Sequence, residues 1–301
     1  MHRDHRAVVP LHAILDGPKD AAPVLLLTGL GQQAIDWPET LIDLLLSQGR
    51  RIIRPDHRDG GLSPLCGDGV LDHLTVADFP TANLPPCPAP YRLQDMASDV
   101  LALMDRLEIG AADFIGYSMG GMIAQIVAAR APQRVRSLTS LMSSGGQAWI
   151  ACTPAAQAAM ADSICAVADA DERVRRYVSN ATVFAGPDYP LDREALMSHA
   201  GMALARSYRP AGIWRQAQAI RDSGDRRPLL QDIQVPTLFV HGDADNCIAA
   251  HQAQEGQSLV AGSRLLLIPG AGHDLHPDLM PVLAPYLCRL LHGAVGENDM
   301  T

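Results

Sequence analysis

The sequence predicts an α/β fold, in which a mostly parallel central sheet is flanked by helices and carries an inserted helical segment. Two observations favour this fold class. Short apolar runs rich in β-formers alternate with stretches of helical spacing; they cover residues 24–28, 52–54, 113–117, 135–142, 235–241 and 264–268. A glycine-flanked serine also joins one of these runs directly to an Ala-rich helical pattern, which is typical of the carboxyl edge of a parallel sheet.

The remaining elements follow the same alternation. Residues 7–15 are expected to form an antiparallel entry strand or half of a hairpin, and residues 39–48 and 93–109 carry apolar side chains at helical spacing. Gly110 follows the second of these helices and is the expected C-cap residue, because glycine adopts the left-handed conformation at low cost. After the serine, residues 122–130 are predicted to form an apolar helix that stops before a proline.

Two regions interrupt this alternation. Residues 64–90 are rich in Pro, Gly and Asp without a repeating pattern, which indicates a long surface loop. The stretch 146–227 has helical spacing and lies between two predicted strands. The sequence therefore predicts a helical cap at residues 146–227. The core is predicted to consist of residues 1–145 and 228–292, and residues 293–301 are expected to form a flexible tail.

Length and charge restrict the classes of partner. The 301 residues suffice for one large domain with an insert. The net charge of −9, without a cluster of Lys and Arg, argues against nucleic acid or an anionic membrane as a partner. No early apolar run approaches the length of a membrane span, and no secretory cleavage pattern follows the first residues, so a cytoplasmic protein is expected. No sequence pattern indicates the oligomeric state.

The cysteines show no metal-binding spacing. The six positions lack Cys-x-x-Cys and Cys-His pairs, so a metal site is not expected; they are Cys66, Cys87, Cys152, Cys165, Cys247 and Cys288. Free thiols are the expected state in a reducing compartment, although Cys66 and Cys87 bracket one Gly- and Pro-rich loop that a disulfide would bridge.

The stretch Gly116-Tyr117-Ser118-Met119-Gly120 is a candidate nucleophile site. Glycines at these spacings relieve crowding at a strained strand-to-helix turn, which lifts the Ser118 hydroxyl above the sheet. A serine hydroxyl is a poor nucleophile at neutral pH. It therefore needs an imidazole that accepts its proton and a carboxylate that orients the imidazole.

Two later strands are followed by residues that supply both groups. Residues 235–240 lead into His241-Gly242-Asp243-Ala244-Asp245, and residues 264–268 lead into a glycine-rich loop that presents His273. Ser118, Asp245 and His273 occur in the chain order expected of this type of sheet. Because each follows a predicted strand, we expect them to meet at one edge of the sheet.

Alternatives exist for the acid and for the base. Asp243 is the alternative acid, although the first aspartate after such a glycine commonly serves the turn, so Asp245 is preferred. Three other histidines are alternatives to His273, but they lie at a helix start, on a helix and at a strand end, where structural roles are more natural: His276, His251 and His241.

Acyl transfer also requires N–H groups that stabilise a tetrahedral oxyanion. The loop Thr28-Gly29-Leu30-Gly31 follows the first parallel strand and can supply one donor. The expected donors are the backbone N–H groups of Leu30 and Met119, the second of which lies at a helix N-terminus. Trp37 follows closely and is the predicted substrate-binding side chain, with burial in the core as the alternative.

Taken in order, these motifs resemble the α/β-hydrolases over residues 24–291. The motifs that carry the resemblance are Thr28-Gly29-Leu30-Gly31, the run from Pro55 to Ser63, the serine turn, His241-Gly242-Asp243-Ala244-Asp245 and Gly272-His273. Three further stretches are similar to bacterial carboxylesterases of the aclacinomycin methylesterase type: Asp56-His57-Arg58-Asp59, Trp37-Pro38 and Ser140-Leu141-Met142-Ser143-Ser144. Thr28 stands where many relatives have His, but the expected donor is a backbone group and should be retained.

The resemblance implies a serine hydrolase that cleaves a carboxylic ester through an acyl-Ser118 intermediate, without a metal or an organic cofactor. The implied partner is a small-molecule ester, such as a methyl ester or lactone of a medium or bulky apolar substrate. The alternatives are a lyase, cyclase or acyltransferase of a natural-product pathway that uses the same three side chains, and a non-catalytic ligand-binding homologue.

Overall fold

The computed structural model describes residues 7–67, 91–147 and 153–293. A seven-stranded sheet forms its centre, in the order β1-β3-β2-β4-β5-β6-β7. All neighbouring strands are parallel except β1 and β3, which confirms the mostly parallel sheet predicted from the sequence. The strands are β1 (Ala13–Asp16), β2 (Ala22–Leu27), β3 (Arg50–Pro55), β4 (Ala112–Tyr117), β5 (Val135–Leu141), β6 (Thr237–Gly242) and β7 (Arg264–Ile268).

Helices pack on both faces of this sheet. Along β2, Val24 and Leu26 point to one face and Leu25 and Leu27 to the other, as alternation in a strand requires. The first face is covered by α1 and α10, and the second by α2, α3, α8 and α9. The helices are α1 (Glu39–Ser47), α2 (Leu93–Arg106), α3 (Met119–Arg130), α4 (Pro154–Ile164), α5 (Ala170–Phe184), α6 (Arg193–Arg206), α7 (Pro210–Asp222), α8 (Arg227–Leu230), α9 (Ala250–Leu259) and α10 (Met280–Leu291).

Helices α4 to α8 lie between β5 and β6 in the chain. The first four pack on one another, and α4 and α7 enclose a small apolar cluster of their own around the buried Trp214. Proline sets two of their boundaries: α5 ends just before Gly186-Pro187, and α7 begins at Pro210. Within the described ranges, no helix is long and apolar enough to cross a membrane.

Two buried ion pairs fasten α6 and α7 to the turn after β3. Arg206 Nη2 of α6 lies 2.7 Å from Asp56 Oδ2, and Arg215 Nη2 of α7 lies 2.8 Å from Asp59 Oδ1. Burial alone would raise the pKa of Asp56, but its hydrogen bonds to Arg206 and to backbone N–H groups lower it below the ordinary value. Removing one partner of such a pair leaves an uncompensated buried charge, so breaking either ion pair should strongly lower the stability of the contact between these helices and the turn after β3.

The end of α2 differs from the sequence prediction. Glu108, and not Gly110, adopts the left-handed conformation, with a φ of 56°. The N–H of Ile109 donates to the Met104 carbonyl (2.9 Å) and that of Glu108 to the Asp105 carbonyl (3.1 Å), the pattern of a Schellman motif. The chain turns two residues early because Ile109 is buried directly after the helix.

Replacing Glu108 with glycine is expected to raise the free energy of unfolding. A side chain at a left-handed position costs about 1 kcal/mol, and a carboxylate at a helix C-terminus opposes the helix dipole. Glu108→Ala removes the charge but keeps the Cβ atom, so it is the matched control. Urea unfolding should show Glu108→Gly about 1 kcal/mol more stable than Glu108→Ala; equal stabilities would contradict the backbone explanation.

Several predicted features fall outside the described residues. These are most of the 64–90 loop (residues 68–90), nearly all of the predicted tail (residues 294–301) and Cys87, so the Cys66–Cys87 pairing stays untested. Cys66 itself is buried, and its backbone N–H donates to Asp59 Oδ1 at 2.7 Å.

Candidate active site

Ser118 occupies a strained turn between β4 and α3. Its φ of 52° lies in the left-handed region, and the residue is only 9% exposed. The glycines on either side are needed for close approach: a Cβ atom at Gly116 would overlap the Gly120 carbonyl, and one at Gly120 would overlap the Leu27 carbonyl. The sequence pattern around Ser118 is therefore a consequence of backbone crowding at the end of β4.

A line of hydrogen bonds joins the three side chains selected from the sequence. His273 Nε2 lies 3.0 Å from Ser118 Oγ, and His273 Nδ1 lies 2.7 Å from Asp245 Oδ2. An ionised carboxylate can only accept, so Nδ1 carries the hydrogen and Nε2 is the acceptor for the Ser118 hydroxyl. This arrangement allows Nε2 to remove the hydroxyl proton when Oγ attacks an electrophile.

Backbone contacts hold the loop that carries His273. The N–H of His273 donates to the Phe184 carbonyl at the end of α5 (2.8 Å), and the Tyr117 hydroxyl donates to the His273 carbonyl (2.7 Å). The rings of Tyr117 and Phe184 flank the imidazole, with centroid distances of 5.3 and 6.2 Å. The ring of His273 is thus fixed from both β4 and α5.

The Asp245 carboxylate is fully bonded. Oδ1 accepts the N–H groups of Cys247 and Ile248, each at 2.8 Å, while Oδ2 accepts from His273. Oδ2 also lies 3.1 Å from His241 Nε2. Burial alone would raise the pKa of Asp245, but the two histidines outweigh it and hold that pKa well below its usual range. Asp245 is consequently a carboxylate at neutral pH.

The alternative residues lie elsewhere or do other work. Asp243 Oδ1 accepts the Gly270 N–H at 2.7 Å and so ties two turns together. His276 Nε2 lies 3.1 Å from the Pro190 carbonyl, and His251 is exposed on α9. A structural role is expected for His241 from the sequence because it ends a strand, yet its ring contacts Asp245. Its position four residues before an aspartate was the signal available for finding it.

Both predicted oxyanion donors have free N–H groups within the described ranges. The loop after β2 is fixed by the Gly29 N–H, which donates to Gln32 Oε1 (2.8 Å), and by the Gly31 N–H, which donates to Gln216 Oε1 (2.9 Å). No described group bonds the Leu30 N–H between them. Met119 is the first residue of α3, where an N–H has no acceptor inside its own helix.

Trp37 is buried in the apolar cluster on the α1 and α10 face of the sheet. This is the packing role weighed as the alternative in the sequence, and contact of Trp37 with substrate stays a prediction. Among the described residues, no group of three or more His, Cys, Asp or Glu side chains is arranged to hold a metal ion.

Comparison with known proteins identifies the family. The family described as alpha/beta hydrolase fold matches residues 22–278 of this chain. The chain belongs to that family. Among curated proteins, rhodomycin D methylesterase DnrP of Streptomyces peucetius is 25% identical over 296 residues, covering 91% of this chain and 92% of the relative. The non-heme chloroperoxidase of Burkholderia pyrrocinia is 26% identical over 271 residues, covering 86% of this chain and 87% of the relative.

Solved structures agree with this assignment. A hydrolase from Pseudomonas aeruginosa PA01 superposes with a TM-score of 0.69 at 26% identity, covering 94% of both chains. The enol-lactonase from Burkholderia xenovorans LB400 has a TM-score of 0.71 at 22% identity, covering 94% of this chain and 97% of that chain, and shares the fold.

In this alpha/beta hydrolase a second carboxyl group follows the imidazole. Burial raises the pKa of Asp274 to about 6, against the lowering influence of His276 and the Gly186 N–H. Because the folded state then holds the proton more tightly than the unfolded chain, ionisation of Asp274 costs stability as the pH rises from about 4 to about 6. Above that range the cost is constant.

Asp274→Asn is therefore expected to raise the free energy of unfolding by about 1–2 kcal/mol near pH 8 and to change it little near pH 4. The control is Asp278→Asn, four residues further along the chain in a short 3₁₀ helix, because the Asp278 side chain is 80% exposed. Urea unfolding of the three proteins at the two pH values measures the effect. A gain at pH 4 as large as that at pH 8 would contradict the assigned burial cost.

Proposed function

We propose that this alpha/beta hydrolase is a serine esterase that cleaves a carboxylic ester through an acyl-Ser118 intermediate. The observation that carries the proposal is the hydrogen-bonded line from Asp245 through His273 to Ser118, with distances of 2.7 and 3.0 Å. In the first half of the reaction, His273 Nε2 takes the hydroxyl proton while Ser118 Oγ attacks the ester carbonyl carbon. The ionised Asp245 stabilises the imidazolium that forms.

The oxyanion of the tetrahedral intermediate is stabilised by the N–H groups of Leu30 and Met119. Their lack of acceptors supports this role. His273 then returns its proton to the leaving alcohol, and the acyl group stays on Ser118. In the second half, His273 removes a proton from water, which attacks the acyl carbon, and the carboxylic acid leaves as the proton passes back to Ser118.

Residues 146–227, which include helices α4 to α7, are proposed to form a cap on the core. The core then consists of residues 1–145 and 228–292. Three apolar side chains of these helices lie beside the loops that follow β2, β6 and β7. Met160 Sδ lies 4.0 Å from Cys247 Sγ, a Cβ atom at Gly31 would lie 3.0 Å from Ile213 Cδ1, and the ring centroid of Phe184 lies 6.2 Å from that of His273. These apolar side chains beside the loops of the site support a medium or bulky apolar substrate. The name of the methylesterase DnrP supports an ester as the substrate class.

The test is intact mass after incubation with a fluorophosphonate, beside turnover of p-nitrophenyl esters of increasing chain length. The wild type should take one label and hydrolyse esters, and Ser118→Ala should do neither. Ser143→Ala is the control for labelling. Ser143 follows the end of β5 by two residues, and its hydroxyl is a neighbour of the turn because it donates to the Ser118 carbonyl at 2.7 Å. Labelling of Ser143→Ala should persist.

Each other outcome has a distinct meaning. A single label without ester turnover would favour transfer of the acyl group to another acceptor over hydrolysis. No label on the wild type would contradict the acyl-Ser118 intermediate and favour the lyase, cyclase or binding alternatives.

A further inference from the structure

A second histidine contacts the carboxylate of the site. His241, the penultimate residue of β6, is completely buried, and its Nε2 atom lies 3.1 Å from Asp245 Oδ2. The same oxygen lies 2.7 Å from His273 Nδ1. Two imidazoles therefore share one carboxylate oxygen, and the mechanism described above uses only one of them.

The hydrogen bonds of His241 define its tautomer. Its Nε2 atom also lies 2.7 Å from the Ile248 carbonyl oxygen, so both neighbours of Nε2 are acceptors and Nε2 carries the hydrogen. The buried Nδ1 atom has no hydrogen-bond partner among the described residues. A hydrogen on Nδ1 would have nothing to bond, and such a buried donor is costly. The contacts of His241 therefore place a hydrogen on Nε2 and offer no acceptor for one on Nδ1.

These contacts close a ring around the Asp245 side chain. Ile248 donates its N–H to Asp245 Oδ1 (2.8 Å) and its carbonyl accepts the Nε2–H of His241 (2.7 Å), while the same Nε2 atom lies 3.1 Å from Asp245 Oδ2. Both oxygens of the carboxylate are therefore approached by the His241–Ile248 pair, in addition to the hydrogen bond that Oδ2 accepts from His273.

We propose that His241 is a positioning residue, which holds the loop of Asp245 through Ile248 and, by its contact with Asp245 Oδ2, keeps this oxygen in line with His273 Nδ1. The inference rests on the proposed serine esterase function and deepens it. His241 has no role in binding substrate, so its loss should lower kcat and leave KM unchanged. It acts before the oxyanion forms and again when the acyl-enzyme is hydrolysed, since both steps need a correctly oriented His273.

The test compares two substitutions at one position. In His241→Gln the amide nitrogen occupies the place of Nε2 and can still donate, whereas His241→Leu removes the donor and keeps a similar apolar volume. Loss of orientation at a catalytic group costs roughly 10- to 100-fold in rate. We expect that loss of kcat for His241→Leu, with KM unchanged, and recovery to within about threefold of the wild type for His241→Gln.

The pH profile separates positioning from a general loss of structure. The acidic limb of the kcat/KM profile reports the protonation of His273. Without the His241 N–H nearby, the Asp245 carboxylate attracts the imidazolium of His273 more strongly, so this limb should move to higher pH in His241→Leu and return in His241→Gln. The neighbouring titratable groups are coupled to the site through Asp245: Asp274 interacts with Asp245, His273 and His276, and Tyr117 interacts with Asp245, Asp274 and Cys247. None of these groups is altered by either substitution.

Ser137→Ala is the matched control. Its hydroxyl also donates to a buried carboxylate, Asp113 Oδ1 at 2.6 Å, but at the amino end of β5, away from Ser118. Ser137→Ala should lose stability without a change of kcat or of the pH profile. If His241→Leu loses no more kcat than Ser137→Ala, or if His241→Gln is as slow as His241→Leu with an intact fold, the positioning role is wrong.

Two further measurements keep the proposal testable. If His241→Leu fails to fold, nitrogen-15 NMR of the wild type reports the tautomer directly, and a hydrogen on Nδ1 of His241 would overturn the proposal. Fluorophosphonate labelling of the wild type tests the esterase function itself. An unlabelled wild type would refute that function, whereas a labelled wild type with an unaffected His241→Leu would refute only the role of His241.

Discussion

Replacing Ser118 with alanine is expected to lower kcat by roughly 10⁶-fold, the size of effect found when a serine nucleophile of this type is removed. The free energy of unfolding should change by less than about 1 kcal/mol, because the substitution removes one hydroxyl whose hydrogen bond to His273 is a neutral one. Ester turnover and urea unfolding of the purified variant measure the two effects. A variant that retains a tenth of the activity would show that Ser118 is not the nucleophile.

Three companion variants sharpen this result. His273→Ala should lose nearly as much activity as Ser118→Ala, and the double variant should lose little more, because the side chains act as a unit. Ser118→Gly should be as inactive as Ser118→Ala yet about 1 kcal/mol more stable, since the φ of 52° at this turn suits glycine and strains any other residue. Equal stabilities of the two Ser118 variants would contradict the strain assigned to the turn.

The fold was predictable because its main signals are local. Alternating apolar runs indicate β2 to β7, and the proline that begins α7 is visible without coordinates. The glycines around Ser118 are also apparent in the sequence, because their spacing within the turn is local. The close approach of Gly120 to the Leu27 carbonyl of the neighbouring strand is visible only in the structure. Chain order then selected Asp245 and His273 without any knowledge of their distances.

Contacts between distant parts of the chain were not predictable in the same way. The pair formed by Arg206 and Asp56 joins residues 150 positions apart, and no periodicity marks either partner. The turn pattern places the Ser118 hydroxyl above the sheet but carries no information on what covers it, and the residue is buried in the folded chain. His241 is the clearest case: strand position alone made it a structural residue, and only the folding of the loop after β6 brings its ring to Asp245.

Asp245→Asn is expected to lower kcat by about 10⁴-fold while the fold stays intact. An asparagine can present its NH₂ group to His273 Nδ1, which would then give up its hydrogen and leave it on Nε2. In that tautomer Nε2 can no longer accept the Ser118 proton. The backbone partners of residue 245 are retained, because the Asn carbonyl oxygen can accept the N–H groups of Cys247 and Ile248. The NH₂ group then faces His241 Nε2, whose hydrogen stays bonded to the Ile248 carbonyl.

Asp243→Asn is the matched control for this prediction, since it makes the same chemical change two residues away. The Asp243 carboxylate accepts the Gly270 N–H on an exposed turn, a bond that the asparagine carbonyl can also accept. Activity should therefore be nearly unchanged in Asp243→Asn. Steady-state kinetics over a range of pH decide between the two carboxylates. If Asp243→Asn and not Asp245→Asn loses the activity, then Asp243 is the acid that orients His273, and the close contact of His273 with Asp245 is structural.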